Sequence, residues 1–212
     1  MNDVLTNDPG NPPGSLEPQR RNLSTLTANP VTTIAGATTE TFVIDADHSE
    51  VGFSVRHLLR RTRGRFARFS GTIQLDRARP ERSTVDFEVD AVSIDTRQVD
   101  RDTHLRSADF FDVEHYPVVH FTSHRMARLD DRRFRVEGTL ELRGIRKPMT
   151  LEVSYLGIAR DPWGNERAGF ATEAVIHRKE FGMVWNAALD NGGVILGDDV
   201  HLTIDLETIR KA

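Results

Sequence analysis

The chain has 212 residues, no cysteine and a formal net charge of −4 at neutral pH. This length suits one domain, or one domain with an appendage, and argues against two full domains. The lack of cysteine excludes disulfides, thiol nucleophiles and thiolate metal sites, and the acidic balance gives no bulk positive charge for binding nucleic acid.

The N-terminal segment, residues 1–41, has a composition that does not support a packed core. It contains five of the nine prolines and no Phe, Trp or Tyr. Such segments are typically disordered, so we predict a disordered tail over residues 1–41 and a folded domain over residues 42–212. No basic region followed by an apolar run resembles a signal peptide, and no apolar run is long enough to span a bilayer. We therefore expect a cytoplasmic protein without a transmembrane segment.

Apolar and polar residues alternate with period two along most of the folded domain. Within residues 133–143, for example, Phe134, Val136, Leu140 and Leu142 alternate with polar residues. This alternation predicts strands with one apolar and one wet face. The predicted strands span residues 42–46, 50–57, 64–76, 83–92, 117–128, 132–144, 147–160, 166–178 and 197–208. Short connections rich in Asp, Gly and Pro favour hairpins, so we predict an all-β fold, an antiparallel sheet curled around its apolar face.

Two segments interrupt the alternation. Residues 96–116 carry Asp and Ser cap candidates, which predicts a short helix around residues 97–106 that lies against the sheet or across one end. Residues 179–197 are rich in turn-forming residues and include Trp185, which predicts a bent loop anchored by aromatic side chains.

Short motifs also follow one another in order along the domain. They are Asp47-His48-Ser49, Phe53-Ser54-Val55-Arg56-His57, Gly71, Arg101-Asp102 with His104-Leu105, Asp109-Phe110-Phe111-Asp112, Tyr116-Pro117, Phe121 with Ser123, Gly138 with Leu140, Arg143-Gly144 with Lys147-Pro148, Arg178-Lys179 with Phe181-Gly182, and Gly197-Asp198. Together, over about residues 42 to 208, they resemble the YceI-like family of lipid-binding proteins.

This resemblance implies a fold and a function. The fold is a lipocalin-like, eight-stranded antiparallel β-barrel, and its elongated interior binds a long isoprenoid or another amphiphile. Family members are commonly exported, and this chain departs from them because no signal peptide is visible. The residue pattern alone gives nine strands, so the segment 42–46 either merges with its neighbour or caps the barrel.

The inward face of such a barrel supplies the candidate ligand-binding residues. A strand of eleven residues spans roughly 36 Å, and a tilt of about 40° leaves a barrel height near 28 Å, long enough for much of a prenyl chain. The predicted lining residues are Phe53, Val55, Phe66, Phe87, Val89, Phe121, Leu140, Leu142, Leu151, Val153, Phe170 and Ile176. Alternatively, these side chains fill the interior and leave no cavity.

A polar group lies on the predicted helical insertion. Arg101, Asp102 and His104 either bind a ligand headgroup at the barrel mouth or latch the insertion to the sheet. In the second case Asp102 caps the helix or forms an ion pair, and His104 donates a hydrogen bond to a backbone carbonyl. The same two interpretations apply to His57. Together with Trp185, these residues complete the predicted ligand-binding set.

The predicted function is therefore the non-enzymatic sequestration or transport of an isoprenoid, a quinone or a related lipid, without a cofactor. A hydrolase acting on a lipid or small ester is the alternative. Every residue type of a hydrolytic triad is available, from Ser49, Ser54, His57, Asp102 and His104. Neither serine, however, lies in a Gly-x-Ser-x-Gly motif, whose sharp turn exposes a nucleophilic serine. We therefore predict no catalytic residue. A filled barrel that acts through protein partners is the third possibility.

The histidines do not predict a metal site. His120 and His124 share one face of a strand but lie about 13 Å apart, too far for a single zinc ion. Only convergence with His104 or His115 from the insertion would complete a site.

A cluster of five arginines, Arg60, Arg61, Arg63, Arg65 and Arg68, occupies nine positions. It either directs the barrel mouth to anionic lipid or forms a solvated hairpin. The expected partners are accordingly a lipophilic small molecule, a membrane surface in transient contact and, through edge strands or barrel ends, a second copy of the chain. No nucleic-acid partner is expected.

Overall fold

The computed structural model describes residues 39–188 and 194–211. The predicted tail lies outside the described residues up to position 38, and so does part of the predicted bent loop, residues 189–193. The described part contains eleven strands and one α-helix. They are β1 (Thr39–Ile44), β2 (Glu50–His57), β3 (Arg60–Phe66), β4 (Phe69–Asp76), β5 (Thr84–Asp90), β6 (Ile94–Asp95), α1 (Val99–Arg106), β7 (Val118–Arg128), β8 (Arg133–Leu142), β9 (Ile145–Arg160), β10 (Glu166–His177) and β11 (Leu196–Arg210).

The first six strands join end to end into three long, bent strands. A 3-10 turn at Ala46–His48 separates β1 from β2, residues 67–68 separate β3 from β4, and a second 3-10 turn at Ala91–Ser93 separates β5 from β6. The three bent strands and β7 to β11 make eight antiparallel strands in sequence order.

The sheet closes on itself because β11 pairs with β10 on one side and with both β1 and β2 on the other. The predicted all-β fold, a lipocalin-like eight-stranded antiparallel β-barrel, is therefore confirmed. The ninth predicted strand, residues 42–46, merges with its neighbour. Its β1 segment begins at Thr39, three residues before the predicted start of the domain.

Alternation determines which face of each strand turns inward. In β8, Val136, Leu140 and Leu142 are buried, whereas Arg133 and Arg135 are exposed. Apolar side chains from all around the barrel meet in this way to form the main hydrophobic core. The closed sheet buries these side chains without leaving a long unpaired edge.

The α1 helix lies across one end of the barrel, as the sequence predicts. It connects β6 to β7, and Arg106 at its C-terminal end donates hydrogen bonds to Val92 O and Ile94 O, both at 2.8 Å. After the helix, Phe110 is buried and Phe111 packs against the barrel core. The insertion therefore brings its own aromatic side chains to one end of the barrel interior.

Among the described residues, none of the helices combines the length and the apolar character that crossing a membrane requires.

Candidate functional site

Two cavities occupy the barrel interior in the part of the chain that the structure describes. The upper cavity, at the α1 end, has a volume of about 660 Å³, and the lower cavity, toward the opposite end, has a volume of about 390 Å³. Phe87, Phe121, Leu151 and Ile204 line both cavities. We call these four residues the waist. Because this much space remains, the barrel's own side chains do not fill the interior. The structure therefore does not support the alternative of a filled barrel.

Most of the residues predicted from the sequence line the upper cavity. They are Phe53, Val55, His57, Phe66, Phe87, Val89, Arg101, His104, Phe121, Leu140, Leu142, Leu151, Ile176 and Trp185. Val153 and Phe170 line the lower cavity instead, and Asp102 lines neither. The strand alternation therefore places the predicted apolar residues on the inner face.

The structure adds lining residues that are not in the set predicted from the sequence. Val51, Leu202 and Ile204 line the upper cavity and belong to the same alternating pattern, which would have identified them. Phe110 and Phe111 also line it, but they come from the insertion, where no period indicates which side chains face inward. Their position depends on how the insertion folds over the barrel end.

The polar group on α1 is built around Thr96. Thr96 Oγ1 donates to Asp102 Oδ1 at 2.5 Å and accepts from Arg101 Nε at 2.7 Å. The Thr96 N–H also donates to Asp102 Oδ1, and Arg101 Nη2 donates to Thr96 O. Asp102 is buried and accepts hydrogen bonds from Thr96, whereas Arg101 also borders the upper cavity.

His104 contacts a carboxylate rather than the backbone carbonyl expected from the sequence. Its Nε2 lies 2.9 Å from Asp109 Oδ2. The imidazole ring stands perpendicular to the indole of Trp185, with centroids 4.8 Å apart, and packs edge-on against Phe110. His104 therefore joins α1 to the loop after β10. His57 is exposed at the end of β2 and borders the upper cavity.

Arg178 holds that loop in place and was not selected from the sequence as a site residue. Its buried guanidinium donates to Gly197 O at 2.9 Å, Met183 O at 2.6 Å and Trp185 O at 2.8 Å. It also pairs with Asp198. Burial lowers the pKa of Arg178 and outweighs the opposing effect of Asp198, yet an arginine remains charged throughout the physiological range. The contacts fix Met183 and Trp185 as part of the cavity wall.

The structure does not assemble the residue types of a hydrolytic triad. Ser49 Oγ donates to Asp45 O at 2.6 Å and accepts from the Glu207 N–H at 2.9 Å, so the backbone engages this hydroxyl. Ser54 Oγ accepts from Arg61 Nη1. Within the described residues, neither serine lines the two cavities, whereas His57 and His104 border the upper one.

Two groups of possible metal ligands occur among the described residues. They are Asp45, His48 and Glu207, and Asp86, Glu88 and His120. In the first group, Arg167 Nη1 lies 2.6 Å from Asp45 and 2.5 Å from Glu207, so a guanidinium occupies the place of a cation. The second group lies on β5 and β7 and contributes nothing to the cavities. Neither group includes His124, His104 or His115.

A closed eight-stranded barrel with an apolar interior and a helix over one end defines a lipocalin-like β-barrel protein. Residues 42–208 match the family model of the YceI-like domain, and the chain therefore belongs to the YceI-like family. The Protein YceI of Escherichia coli O157:H7 is 36% identical over 168 residues, which cover 79% of this chain and 84% of that protein. The family predicted from the sequence is confirmed.

Solved structures show the same fold. BcnA of Burkholderia cenocepacia superimposes with a TM-score of 0.67 at 22% identity, over 77% of this chain and 98% of that one. A polyisoprenoid-binding domain from Saccharophagus degradans, implicated in plant cell wall breakdown, superimposes with a TM-score of 0.60 at 17% identity, over 82% of this chain and all of that one.

Proposed function

We propose that the protein binds a long apolar or amphipathic molecule, such as an isoprenoid or a prenylated quinone, and sequesters or transports it unchanged. The observation that carries this proposal is the upper cavity of about 660 Å³, walled by apolar side chains and followed by a second cavity beyond the waist. The polyisoprenoid-binding domain with the same fold supports this choice of ligand class.

Burial of the ligand chain supplies the binding free energy. Each CH₂ group removed from water contributes about 0.8 kcal/mol, so one five-carbon unit contributes several kcal/mol before the cost of ordering the ligand. Transfer into an apolar cavity needs no chemical step. The protein therefore acts as a carrier, and a prenyl ester incubated with it should be recovered intact.

Polar side chains at the α1 end recognise the headgroup. Arg101 and His104 border the upper cavity and are suited to donate hydrogen bonds to a phosphate or quinone oxygen. Val153 and Phe170 in the lower cavity then contact the far end of a long chain. The cytoplasmic location and the homodimer expected from the sequence stay predictions.

The two tryptophans allow a direct binding test. Trp185 lines the upper cavity, whereas Trp163 is 80% exposed in the β9–β10 turn at the opposite end of the barrel. A prenylated quinone added from detergent should quench fluorescence in wild type and in Trp163→Phe, which retains Trp185. The Trp185→Phe variant should lose the saturable quenching. A wild-type protein that shows no saturable quenching and retains no quinone on gel filtration would contradict the proposal.

A further inference from the structure

The β2–β3 hairpin ends in two adjacent leucines that the fold leaves in solvent. Leu59 is 99% exposed and Leu58 is 42% exposed. Leu58 also has a φ of +52°, a conformation that is unfavourable for a residue with a Cβ atom. Tight hairpin turns are usually formed by Gly, Asn or Asp. This turn thus retains two large apolar side chains despite backbone strain and the cost of exposing them to water.

Four exposed arginines surround these leucines. Arg56 and Arg61 face each other across the β2–β3 pair, and like charges directly opposite one another are destabilising. Neither they nor Arg60 and Arg63 form an ion pair with an acidic side chain in the described part of the chain. Their contacts there include Leu58 O for Arg56 and Ser54 Oγ for Arg61. The hairpin therefore carries a local positive charge that an anionic partner would neutralise.

The hairpin lies beside the upper cavity. His57, the residue before the turn, borders this cavity, and the Leu58 N–H donates to Ile195 O at 2.8 Å. Val194, next to Ile195, is 60% exposed. On the first turn of α1, Val99 is 78% exposed between Gln98 and Asp100, which line the cavity. Exposed apolar groups thus surround one end of the ligand site.

The opposite end of the barrel has a different charge arrangement. Arg77 pairs with Glu40 and Glu166, and Arg167 pairs with Asp45, Asp161 and Glu207. These ion pairs neutralise Arg77 and Arg167, whereas Arg132 and Arg160 at that end form no ion pair among the described residues. The β2–β3 hairpin is distinguished by two adjacent exposed leucines, one of them 99% exposed, among four arginines without an acidic partner in the described part of the chain.

We propose that the hairpin tip, formed by Leu58 and Leu59 with Arg56, Arg60, Arg61 and Arg63, docks on an anionic lipid bilayer. The leucines enter the boundary between headgroups and acyl chains, and the negative surface potential attracts the arginines. The upper cavity then exchanges its ligand with the membrane without exposing the ligand chain to water. This exchange step rests on the proposed function.

Vesicle flotation tests the docking surface. Wild type should float with vesicles of equal parts phosphatidylglycerol and phosphatidylcholine, should not float with pure phosphatidylcholine, and should dissociate as salt is raised. The double variant Leu58→Ser/Leu59→Ser, and separately Arg60→Gln/Arg61→Gln, should lose about tenfold or more in vesicle affinity. The control Trp163→Ser removes an exposed aromatic side chain at the other end and should bind like wild type.

Quinone uptake separates docking from ligand binding. Trp185 quenching should remain in the double leucine variant when a prenylated quinone is delivered from detergent, and should slow about tenfold when it is delivered from anionic vesicles. Wild type that binds quinone from detergent but does not float with anionic vesicles would overturn the docking proposal and leave the proposed function intact.

Two further outcomes overturn the docking proposal, and a third overturns the proposed function. Loss of flotation in Trp163→Ser but not in the leucine variant would place the docking surface at the wrong end. Loss of self-association in the leucine variant, with flotation unchanged, would identify the tip as a contact between copies. A protein that floats but takes up quinone from neither source would contradict the proposed function and, with it, the exchange step.

Discussion

Phe121 occupies the space above Gly138 on the neighbouring strand, so that a Cβ atom added to this glycine would lie 2.4 Å from Phe121 Cζ. The ring reaches the waist, where it lines both cavities, because Gly138 has no side chain. Phe121 and Gly138 therefore contribute to the division between the two cavities, together with the other waist residues.

Replacing Phe121 with leucine should widen the waist and shift ligand preference toward longer chains. The free energy of unfolding should fall by about 1–2 kcal/mol, because a buried ring is replaced by a smaller side chain. Native mass spectrometry with prenyl alcohols of increasing length measures the preference. The control is Phe42→Leu, because Phe42 is fully buried but lines neither cavity. An identical chain-length profile in the two variants would show that Phe121 does not separate the cavities.

The contacts of Thr96 predict a specific loss of stability. Thr96→Val keeps the shape of the side chain but removes the hydroxyl that joins Arg101 to Asp102. The free energy of unfolding in urea should fall by about 1–3 kcal/mol, because buried polar groups lose a partner. Thr103→Val is the control, since the Thr103 hydroxyl is exposed and donates only to Val99 O. A loss below about 0.5 kcal/mol in Thr96→Val would exclude the latch role of this group.

Arg178 should be more important for stability than its exposed neighbour. Arg178→Met leaves the carbonyls of Met183, Trp185 and Gly197 without their guanidinium donor. We expect a loss of about 2–4 kcal/mol in unfolding free energy and a red shift of Trp185 fluorescence, measured in a Trp163→Phe background. Lys179→Met removes an exposed ion pair with Asp198 and should cost less than about 1 kcal/mol. Equal losses in the two variants would contradict the role of Arg178.

Asp161 gives the protein an acid-sensitive contact in the β9–β10 turn. Burial disfavours its charged form, but hydrogen bonds from Asn165, Arg167 and the Trp163 N–H outweigh burial and lower its pKa from 3.8 to about 2. Because the pKa is lower in the folded protein, this stabilisation is present above about pH 4 and disappears as the pH falls toward 2. Asp161→Asn should therefore flatten the dependence of unfolding free energy on pH in that range.

NMR titration of the Asp161 carboxyl tests the cause of the shift. Asn165→Ala removes a donor and should move the pKa upward from about 2. Trp163→Ser keeps the backbone N–H that donates to Asp161 and should leave the titration unchanged. A titration that does not respond to Asn165→Ala would show that this side chain does not set the pKa.

The sequence predicts the barrel well because alternation is a local property. Phe53 and Val55 face the interior as soon as their strand pairs with its neighbours. The break between β1 and β2 agrees with the predicted strands 42–46 and 50–57, and Asp45 accepts a hydrogen bond from the Asp47 N–H there. The sequence does not predict the break between β3 and β4, which falls inside the single predicted strand 64–76. The predicted start of this strand, residue 64, was wrong, since β3 begins at Arg60. The Leu58-Leu59 turn lacks the residues that usually mark a turn in a sequence.

The predicted site is less complete because part of it depends on distant contacts. Arg178 organises carbonyls that lie up to 19 residues away, and nothing in its local sequence specifies them. His104 meets Trp185 only once the insertion and the loop after β10 have both folded over the barrel end. The strand pattern therefore identifies the apolar walls of the cavity, whereas tertiary contacts determine its polar end.

The measurement that tests the carrier function most directly is native mass spectrometry of freshly purified protein, followed by organic extraction and identification of the bound material. A carrier should yield a stoichiometric isoprenoid or prenylated quinone, released unchanged, with less of it bound in a variant that blocks the upper cavity, such as Val89→Trp. Repeated recovery of empty protein that also fails to take up added prenyl lipids would contradict it.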